Sequence, residues 1–178
     1  MKLRRLLACS VFAVSVVLAT GVAQARVYSS GNVDRKLPDL GRVASVIKVP
    51  DRKTIASAKV QVRMSHGYTG DVLMGLQMPD GDFEELVSQG AAGGGQSGSK
   101  NFGAGPKTCK GQMTTFDDDS PFSIDSGVAP FTGSYRPSES LGLDGEPARG
   151  EYRLIVFDTN QGDFGRLHCW KLNLQLTD

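Results

Sequence analysis

The stretch from Ser65 to Pro79 restricts the fold of this chain more than any other part of the sequence. A strand-like run ends at His66, a glycine-containing turn follows, and Asp71 begins a second run with apolar residues at every other position: Val72, Met74, Leu76 and Met78. Alternation with a period of two indicates a β-strand that rests one face on a core. The stretch therefore predicts two strands joined by a tight corner.

Other parts of the chain repeat this pattern of short apolar runs separated by turns. Residues 79–82 read as a hairpin turn, and the further runs that predict strands are 43–49, 55–64, 83–87, 152–157 and 170–176. Helical periodicity is missing, and 22 glycines supply frequent turn signals. Many short strands with turns between them predict an all-β domain, a jelly-roll β-sandwich or barrel.

The first 25 residues read as a secretory signal peptide. Lys2, Arg4 and Arg5 form its basic start, residues 6–18 are almost wholly apolar, and Ala23-Gln24-Ala25 is a small-residue cleavage site. We expect an exported protein with residues 26–178 as one domain, free of the membrane after cleavage, and the sequence leaves periplasmic and extracellular locations open. Cleavage leaves 17 basic against 19 acidic residues with no basic stripe, which argues against a nucleic-acid partner.

Two cysteines, Cys109 and Cys169, remain after Cys9 leaves with the signal peptide. An even pair in an oxidising compartment predicts a disulfide. Residues 90–105 are rich in glycine, alanine and serine, with Phe102 as the one large apolar residue. Such a segment buries little apolar surface, so we expect a flexible surface loop there.

Several motifs, in this order along the chain, resemble the P domain of subtilisin-like proprotein convertases. They are the corner His66–Asp71, Leu76-Gln77-Met78-Pro79-Asp80-Gly81, Thr115-Phe116-Asp117-Asp118, Phe131–Pro137, Gly150-Glu151-Tyr152-Arg153-Leu154 with Tyr where the family has Trp, and Asp158–Gly165 followed by Trp170-Lys171-Leu172. The resemblance covers nearly all of residues 26–178 and implies a jelly roll of the galactose-binding-like type. It also implies an accessory module of a protease.

Catalysis is not expected from this chain. A subtilisin-type protease needs Asp, His and Ser brought together with an oxyanion hole, and no nucleophile motif is present. A label of serine-type endopeptidase or proteolysis would describe the enzyme that such a domain accompanies. His66 and Gly70 are interpreted as structural residues of the corner, with His66 hydrogen-bonded there.

Carboxylates at turns and strand ends raise the question of calcium. The resemblance implies that Asp71, Asp118, Asp158 and Asp163 stand at positions that the family tends to keep acidic, and oxygen ligands on loops suit Ca²⁺. The alternative is that each aspartate caps its own turn without a metal. The sequence leaves both interpretations open.

The function expected from the resemblance is a stand-alone, exported, non-catalytic module that stabilises or regulates a subtilisin-like serine protease or binds another protein. Its docking would need an uncovered apolar patch. The alternative is a jelly roll that binds carbohydrate or a surface through loop aromatics: Tyr68, Phe102, Phe122, Phe131 and Tyr135. The other interpretation is that these aromatic side chains only pack beneath the loops and bind no ligand.

Overall fold

The structure is a computed structural model that describes residues 22–92 and 101–178. Within them the chain forms ten β-strands: β1 (Gln24–Ser29), β2 (Arg35–Leu37), β3 (Arg42–Val49), β4 (Thr54–His66), β5 (Val72–Gln77), β6 (Phe83–Val87), β7 (Thr114–Phe116), β8 (Ser134–Tyr135), β9 (Gly150–Asp158) and β10 (Gly165–Thr177). Single 3₁₀ turns occupy Thr69–Asp71 and Ile124–Ser126. The predicted all-β class is confirmed.

Two sheets form a sandwich. The first sheet has the order β1-β10-β4-β7-β8, with β2 paired to the N-terminal part of β10 beside β1, and the second has the order β3-β9-β5-β6. Every pairing is antiparallel except that of β7 with β8. The predicted hairpin is the β5–β6 pair.

The core lies between the two sheets and is built by alternation. In β10 the side chains of Trp170, Leu172, Leu174 and Leu176 are buried, and in β5 those of Val72, Met74 and Leu76 are fully buried. Residues of β4 and β10 pair from one end to the other, Gly165 with His66 and Thr177 with Thr54. This long pairing brings the His66 corner next to the start of β10.

Two irregularities interrupt that pairing, one between Gln175 and Leu176 and one near the His66 corner. Leu167 pairs with Met64 and Cys169 pairs with Arg63, so His168 is an extra residue in β10, a β-bulge. Bulges turn the side chains around them away from the regular alternation. This bulge lies on the part of β10 that adjoins the His66 corner.

The glycine-rich segment differs from the expectation at its ends. Residues 93–100 lie outside the described residues, but Ala92 and Phe102 on either side are fully buried. The Phe102 backbone exchanges two hydrogen bonds of 3.0 Å with Met64 of β4, and its ring stacks on Phe131 at 5.1 Å between centroids. Phe102 therefore belongs to the packed molecule, because the sheet supplies partners that composition alone does not reveal.

Most of the predicted signal peptide, residues 1–21, also lies outside the described residues. Its last two residues, Gln24 and Ala25, are the first two of β1 and pair with Leu176 and Gln175. Among residues 22–92 and 101–178, no helix has the length and apolar character that crossing a membrane requires.

Candidate functional site

The corner at the end of β4 is organised by His66. Its side chain is fully buried, with Nδ1 2.6 Å from the Tyr68 carbonyl oxygen and Nε2 3.2 Å from Oδ2 of Asp158, the last residue of β9. The imidazole thus ties the turn after β4 to the neighbouring sheet. Gly70 is buried in the 3₁₀ turn, where an added Cβ would lie 2.7 Å from a ring carbon of Tyr68.

Asp71 joins the start of β5 to the residues after β9. Its Oδ1 accepts a hydrogen bond of 2.8 Å from Asn160 Nδ2, and its carbonyl oxygen accepts bonds from the Thr159 amide at 2.9 Å and hydroxyl at 2.8 Å. Asp158 beside it is buried. Burial raises the pKa of the Asp158 carboxyl, the His66 interactions lower that pKa, and the Asp71 charge raises it.

The four aspartates singled out for calcium do not converge. Asp71 and Asp158 share the corner, and Asp163 lies over Gly67, where an added Cβ would meet the Asp163 carboxylate. Asp118 accepts hydrogen bonds from the amide of Leu141 and the hydroxyl of Ser140.

Across residues 22–92 and 101–178, no group of three His, Cys, Asp or Glu side chains is placed to hold a metal ion. Calcium takes six to eight oxygen ligands, and the carboxylates of the corner already accept hydrogen bonds. The residues present therefore do not fit a calcium site built from all four aspartates. Calcium binding stays a prediction.

The predicted disulfide is present and fastens a loop to the first sheet. Cys109 and Cys169 are bonded, which links residues 101–113 to β10. Arg63, 3% exposed, anchors the same loop by donating hydrogen bonds to the carbonyl oxygens of Phe102, Gly105 and Pro106. The loop is thereby held over the outer face of β4 and β10.

A chain of hydrogen bonds that sequence analysis missed lies beside this loop. Ser65 Oγ is 2.9 Å from His168 Nε2, and His168 Nδ1 is 3.2 Å from Asp34 Oδ1. The structure thus brings together a serine, a histidine and an aspartate that the sequence analysis did not connect. No linear motif could reveal it, because Ser65 and His168 are 103 residues apart and meet only through strand register and the bulge.

Ser65 opens onto a pocket of about 370 Å³ at this end of the first sheet. Three cations line it, Lys36, Lys107 and Arg166, together with the Asp163 carboxylate. The exposed ring of Phe164 also lines the pocket, and the Lys36 ammonium lies 5.9 Å from that ring's centroid. We call this feature the cationic pocket, and it suits an anionic group.

The loop aromatics divide into two groups. Phe102 and Phe131 are fully buried, and Tyr135 packs edge-on against Phe131 with 5.6 Å between ring centroids. These three aromatic side chains therefore pack beneath the loops. Phe122 is 68% exposed and lines a cleft of about 560 Å³ with Tyr135, Asp117 and Asp119. Tyr68 is half-buried at the corner.

The outer face of the second sheet carries uncovered apolar side chains. Val46 of β3 is 39% exposed, and Leu40, just before β3, is 62% exposed. Ile155 and Phe157 of β9 and Leu73 of β5 are half-buried there, with Leu73 opposite Phe157 in register. We call these five residues the apolar face.

Comparison with known proteins agrees with this architecture. No curated protein matches the chain. Two solved structures are similar, the serine protease of Aeromonas sobria and the complex of that protease (ASP) with the chaperone ORF2, each at 17% identity and a TM-score of 0.52. They match 92% and 87% of this chain, which spans only 28% and 26% of theirs, about a quarter of their length. At this identity the likeness concerns the fold alone.

The family is shown by a sequence model that describes the proprotein convertase P-domain and matches residues 55–174. The match begins in β4, includes the His66 corner and the disulfide, and ends within β10. Domains of this family are accessory domains of proteases. The chain belongs to the proprotein convertase P-domain family.

Proposed function

We propose that this chain is a non-catalytic accessory module that binds a subtilisin-like serine protease and stabilises or regulates it. The family match over residues 55–174 is the observation that carries the proposal. The two similar structures are a serine protease, alone and in complex with its chaperone, and their likeness to this chain is one of fold.

The apolar face is the surface we propose for docking. Exposed apolar side chains that lie together on one sheet face are typical of protein interaction sites. Charged residues surround them, with Arg42 and Lys48 exposed on β3 and Arg153 exposed on β9. An apolar centre with a polar rim is the usual anatomy of a protein–protein interface. A catalytic domain resting there would cover Val46 and Leu40.

We also propose that the module is exported, with the mature domain beginning at Arg26. The Cys109–Cys169 disulfide supports this, because such bonds persist in oxidising compartments. Cleavage after Ala25 would remove two residues of β1 and leave the pairs from Arg26–Leu174 to Ser29–Lys171. N-terminal sequencing of the exported protein tests this start site.

The docking proposal is tested by affinity capture. The exported protein, tagged at its C-terminus and purified from exported fractions, is incubated with those fractions, and the retained proteins are identified by mass spectrometry. We expect recovery of a subtilisin-like protease. The variant Val46→Glu places a carboxylate on the apolar face, opposite Arg153 of β9, and should lower that recovery at least tenfold, because a docked partner would have to strip water from the added charge.

The matched control is Val27→Glu. Val27 is 64% exposed on β1, the same residue type on an edge strand of the other sheet. This variant should recover as much protease as the wild type. Recovery of no protease would overturn the proposed function, and equal loss in both variants would overturn the choice of the apolar face.

The cleft beside Phe122 supports a second candidate, the binding of carbohydrate. An exposed aromatic ring beside carboxylates and hydroxyls offers a stacking surface and hydrogen-bond partners to a sugar. Glycan-array binding that disappears in Phe122→Ala and survives in Val46→Glu would support this candidate. Retention of no glycan by the wild type would remove it.

A further inference from the structure

Strand register gathers positive charge at one end of the first sheet. Arg166 of β10 pairs with Lys36 of β2 on one side and with Ser65 of β4 on the other, so the three side chains form a row on one face of the sheet. Like charges directly opposite each other on neighbouring strands are destabilising. The loop of residues 101–113 adds Lys107 to the same pocket. Three cations therefore line the cationic pocket, two of them in direct cross-strand opposition.

The protein itself neutralises these charges only in part. Arg166 uses one nitrogen, Nη1, to donate to the Asp34 carbonyl oxygen at 2.8 Å and to Asp34 Oδ2 at 3.1 Å. Within the described part of the chain, neither Lys36 nor Lys107 forms an ion pair. The carboxylate that lines the pocket there is that of Asp163. The fold thus leaves positive charge that a bound anion would balance.

The Arg166 side of the pocket is held in place by the chain of hydrogen bonds beside it. Asp34, which accepts from Arg166, has its other carboxylate oxygen 3.2 Å from Nδ1 of His168. The His168 side chain is 1% exposed, and its Nε2 lies 2.9 Å from Ser65 Oγ. These contacts keep Arg166 and Ser65 in fixed positions relative to each other, which gives the chain of hydrogen bonds a structural role at the pocket.

The Lys107 side of the pocket is fixed before and after that residue. Arg63 donates to the carbonyl oxygens of the two residues directly before Lys107, at 2.9 and 3.3 Å. The Cys109–Cys169 bond fastens the chain again two residues after it. Because both sides are already ordered, a ligand would bind here at a small cost in conformational entropy.

The rest of the pocket offers a hydrogen-bond acceptor and an aromatic ring. The Asp163 carboxylate lies against Gly67, where an added Cβ would be 1.9 Å from Asp163 Oδ1, so a residue without a side chain permits this approach. The Phe164 ring is 68% exposed, and the Phe164 carbonyl oxygen accepts a hydrogen bond of 3.3 Å from the Gly67 amide. The Asp163 carboxylate and the Phe164 ring therefore stand beside the cations.

The last residue of a peptide chain carries the groups that complement this set. Its carboxylate suits the cations, its backbone N–H suits the Asp163 carboxylate, and an apolar side chain suits the Phe164 ring. An internal aspartate or glutamate also has a carboxylate, but that carboxylate lies one or two carbons farther from the backbone N–H. The pocket, at about 370 Å³, is near the small end of the range for ligand sites and favours the more compact arrangement.

We propose that the cationic pocket binds the C-terminal carboxylate of a peptide whose last residue is apolar or aromatic. The pocket shares no residue with the apolar face, so this binding is independent of docking. Each cut by a protease creates a new C-terminal carboxylate, and the pocket would hold such ends close to a docked protease. That consequence rests on the proposed function, whereas the peptide binding does not.

The test is calorimetric titration of the exported, folded protein with acetyl-Ala-Ala-Phe as the free acid. We expect a complex with one peptide per protein chain, whose affinity falls as salt is added because the charges are partly exposed. The C-terminal amide of the same peptide should bind at least tenfold more weakly, since it loses charge-assisted hydrogen bonds. Acetyl-Ala-Glu-Phe amide, with its carboxylate on a side chain, should bind at least tenfold more weakly as well.

Variants locate the binding in the pocket. Lys36→Ala and Lys107→Ala should each weaken binding of the free acid about tenfold. Lys110→Ala is the matched control, because Lys110 is an exposed lysine of the same loop that does not line the pocket, and it should bind like the wild type. Phe164→Ala should weaken binding of acetyl-Ala-Ala-Phe more than binding of acetyl-Ala-Ala-Ala, which lacks the ring that packs on Phe164.

Three results would overturn the proposal: no binding of the free acid, equal affinity for the acid and its amide, or equal affinities of Lys107→Ala and Lys110→Ala with both proteins folded by circular dichroism. Equal affinity for acetyl-Ala-Glu-Phe amide would overturn the assignment to a chain end. Val46→Glu should bind the peptide like the wild type. Failure of peptide binding therefore leaves the docking function standing, and failure of protease capture leaves the peptide binding standing.

Discussion

The pairing of His66 with Asp158 gives a stability test at a single residue. In His66→Leu the buried Asp158 carboxyl loses the partner that lowers its pKa, so that pKa rises further. A raised carboxyl pKa gives stability that is complete at low pH and is lost as pH rises through the folded-state pKa. We expect a loss of about 3 kcal/mol at pH 7 and a clearly smaller loss at pH 4, measured by urea denaturation.

The control is the same substitution in an Asp158→Asn background. With no carboxyl at position 158, the losses caused by His66→Leu at pH 4 and pH 7 should differ less than they do in the single variant. If the single variant already shows equal losses at both values, the pH dependence does not come from Asp158.

Calcium is the second question at the residue scale. Asp71 and Asp158 have hydrogen-bond partners at the corner, and Asp118 bonds to Ser140 and Leu141, away from them. We therefore expect millimolar Ca²⁺ to leave the melting temperature unchanged, with these aspartates serving as turn caps. A rise of several degrees in the wild type that disappears in Asp71→Asn would restore the calcium interpretation.

The sequence could identify site residues whose structural role follows from their place at the end or the start of a strand. His66 and Asp71 were singled out because one ends a strand and the other begins the next. Ser65, His168 and Asp34 carried no such signal. Their contacts depend on which strands pair, in which register, and on a bulge, and a single sequence specifies none of these.

The disulfide acts at the scale of an element, since it fastens the loop of residues 101–113 to β10. It closes a segment with a sequence separation of 60, for which the chain-entropy model gives about 4 kcal/mol. We expect the double variant Cys109→Ala/Cys169→Ala to lose about that free energy of unfolding in urea. Reduction of the wild type should give the same loss.

Amide hydrogen exchange can locate the part of the molecule that loses stability when the disulfide is removed. The amide of Ala104 donates to the Gln112 carbonyl oxygen within the loop, so it should exchange faster in the double variant. The amides of β5 and β9, in the other sheet, should change only by the global amount. Unchanged protection of Ala104 would mean that the hydrogen bonds of Arg63 hold the loop without the disulfide.

Strands with strict alternation were predictable as elements, because burial on one face leaves a period of two in the sequence. The runs 43–49 and 170–176 alternate in burial and fall within strands, and the run 83–87 forms a strand without strict alternation. The run 152–157 is more apolar than one buried face requires, since Ile155 and Phe157 point away from the core. These two residues belong to the apolar face. From the sequence alone, an apolar residue on an outer sheet face looks the same as one buried in the core.

The whole molecule is a sandwich with one sheet partly covered by its own loop and the other sheet with an apolar outer face. Binding of a partner to the folded state alone must raise stability, by about 2.7 kcal/mol when the free partner is at 100 times Kd. The subtilisin-like protease identified by affinity capture can be made inactive by replacing its nucleophilic serine with alanine. We expect the catalytic domain of that inactive variant to raise the melting temperature of this protein. Val46→Glu should remove that rise, and Val27→Glu should keep it. Because both valines are exposed, neither substitution should change the free energy of unfolding of the free protein by more than about 0.5 kcal/mol. A rise of the same size in Val46→Glu would show that the protease rests on another surface.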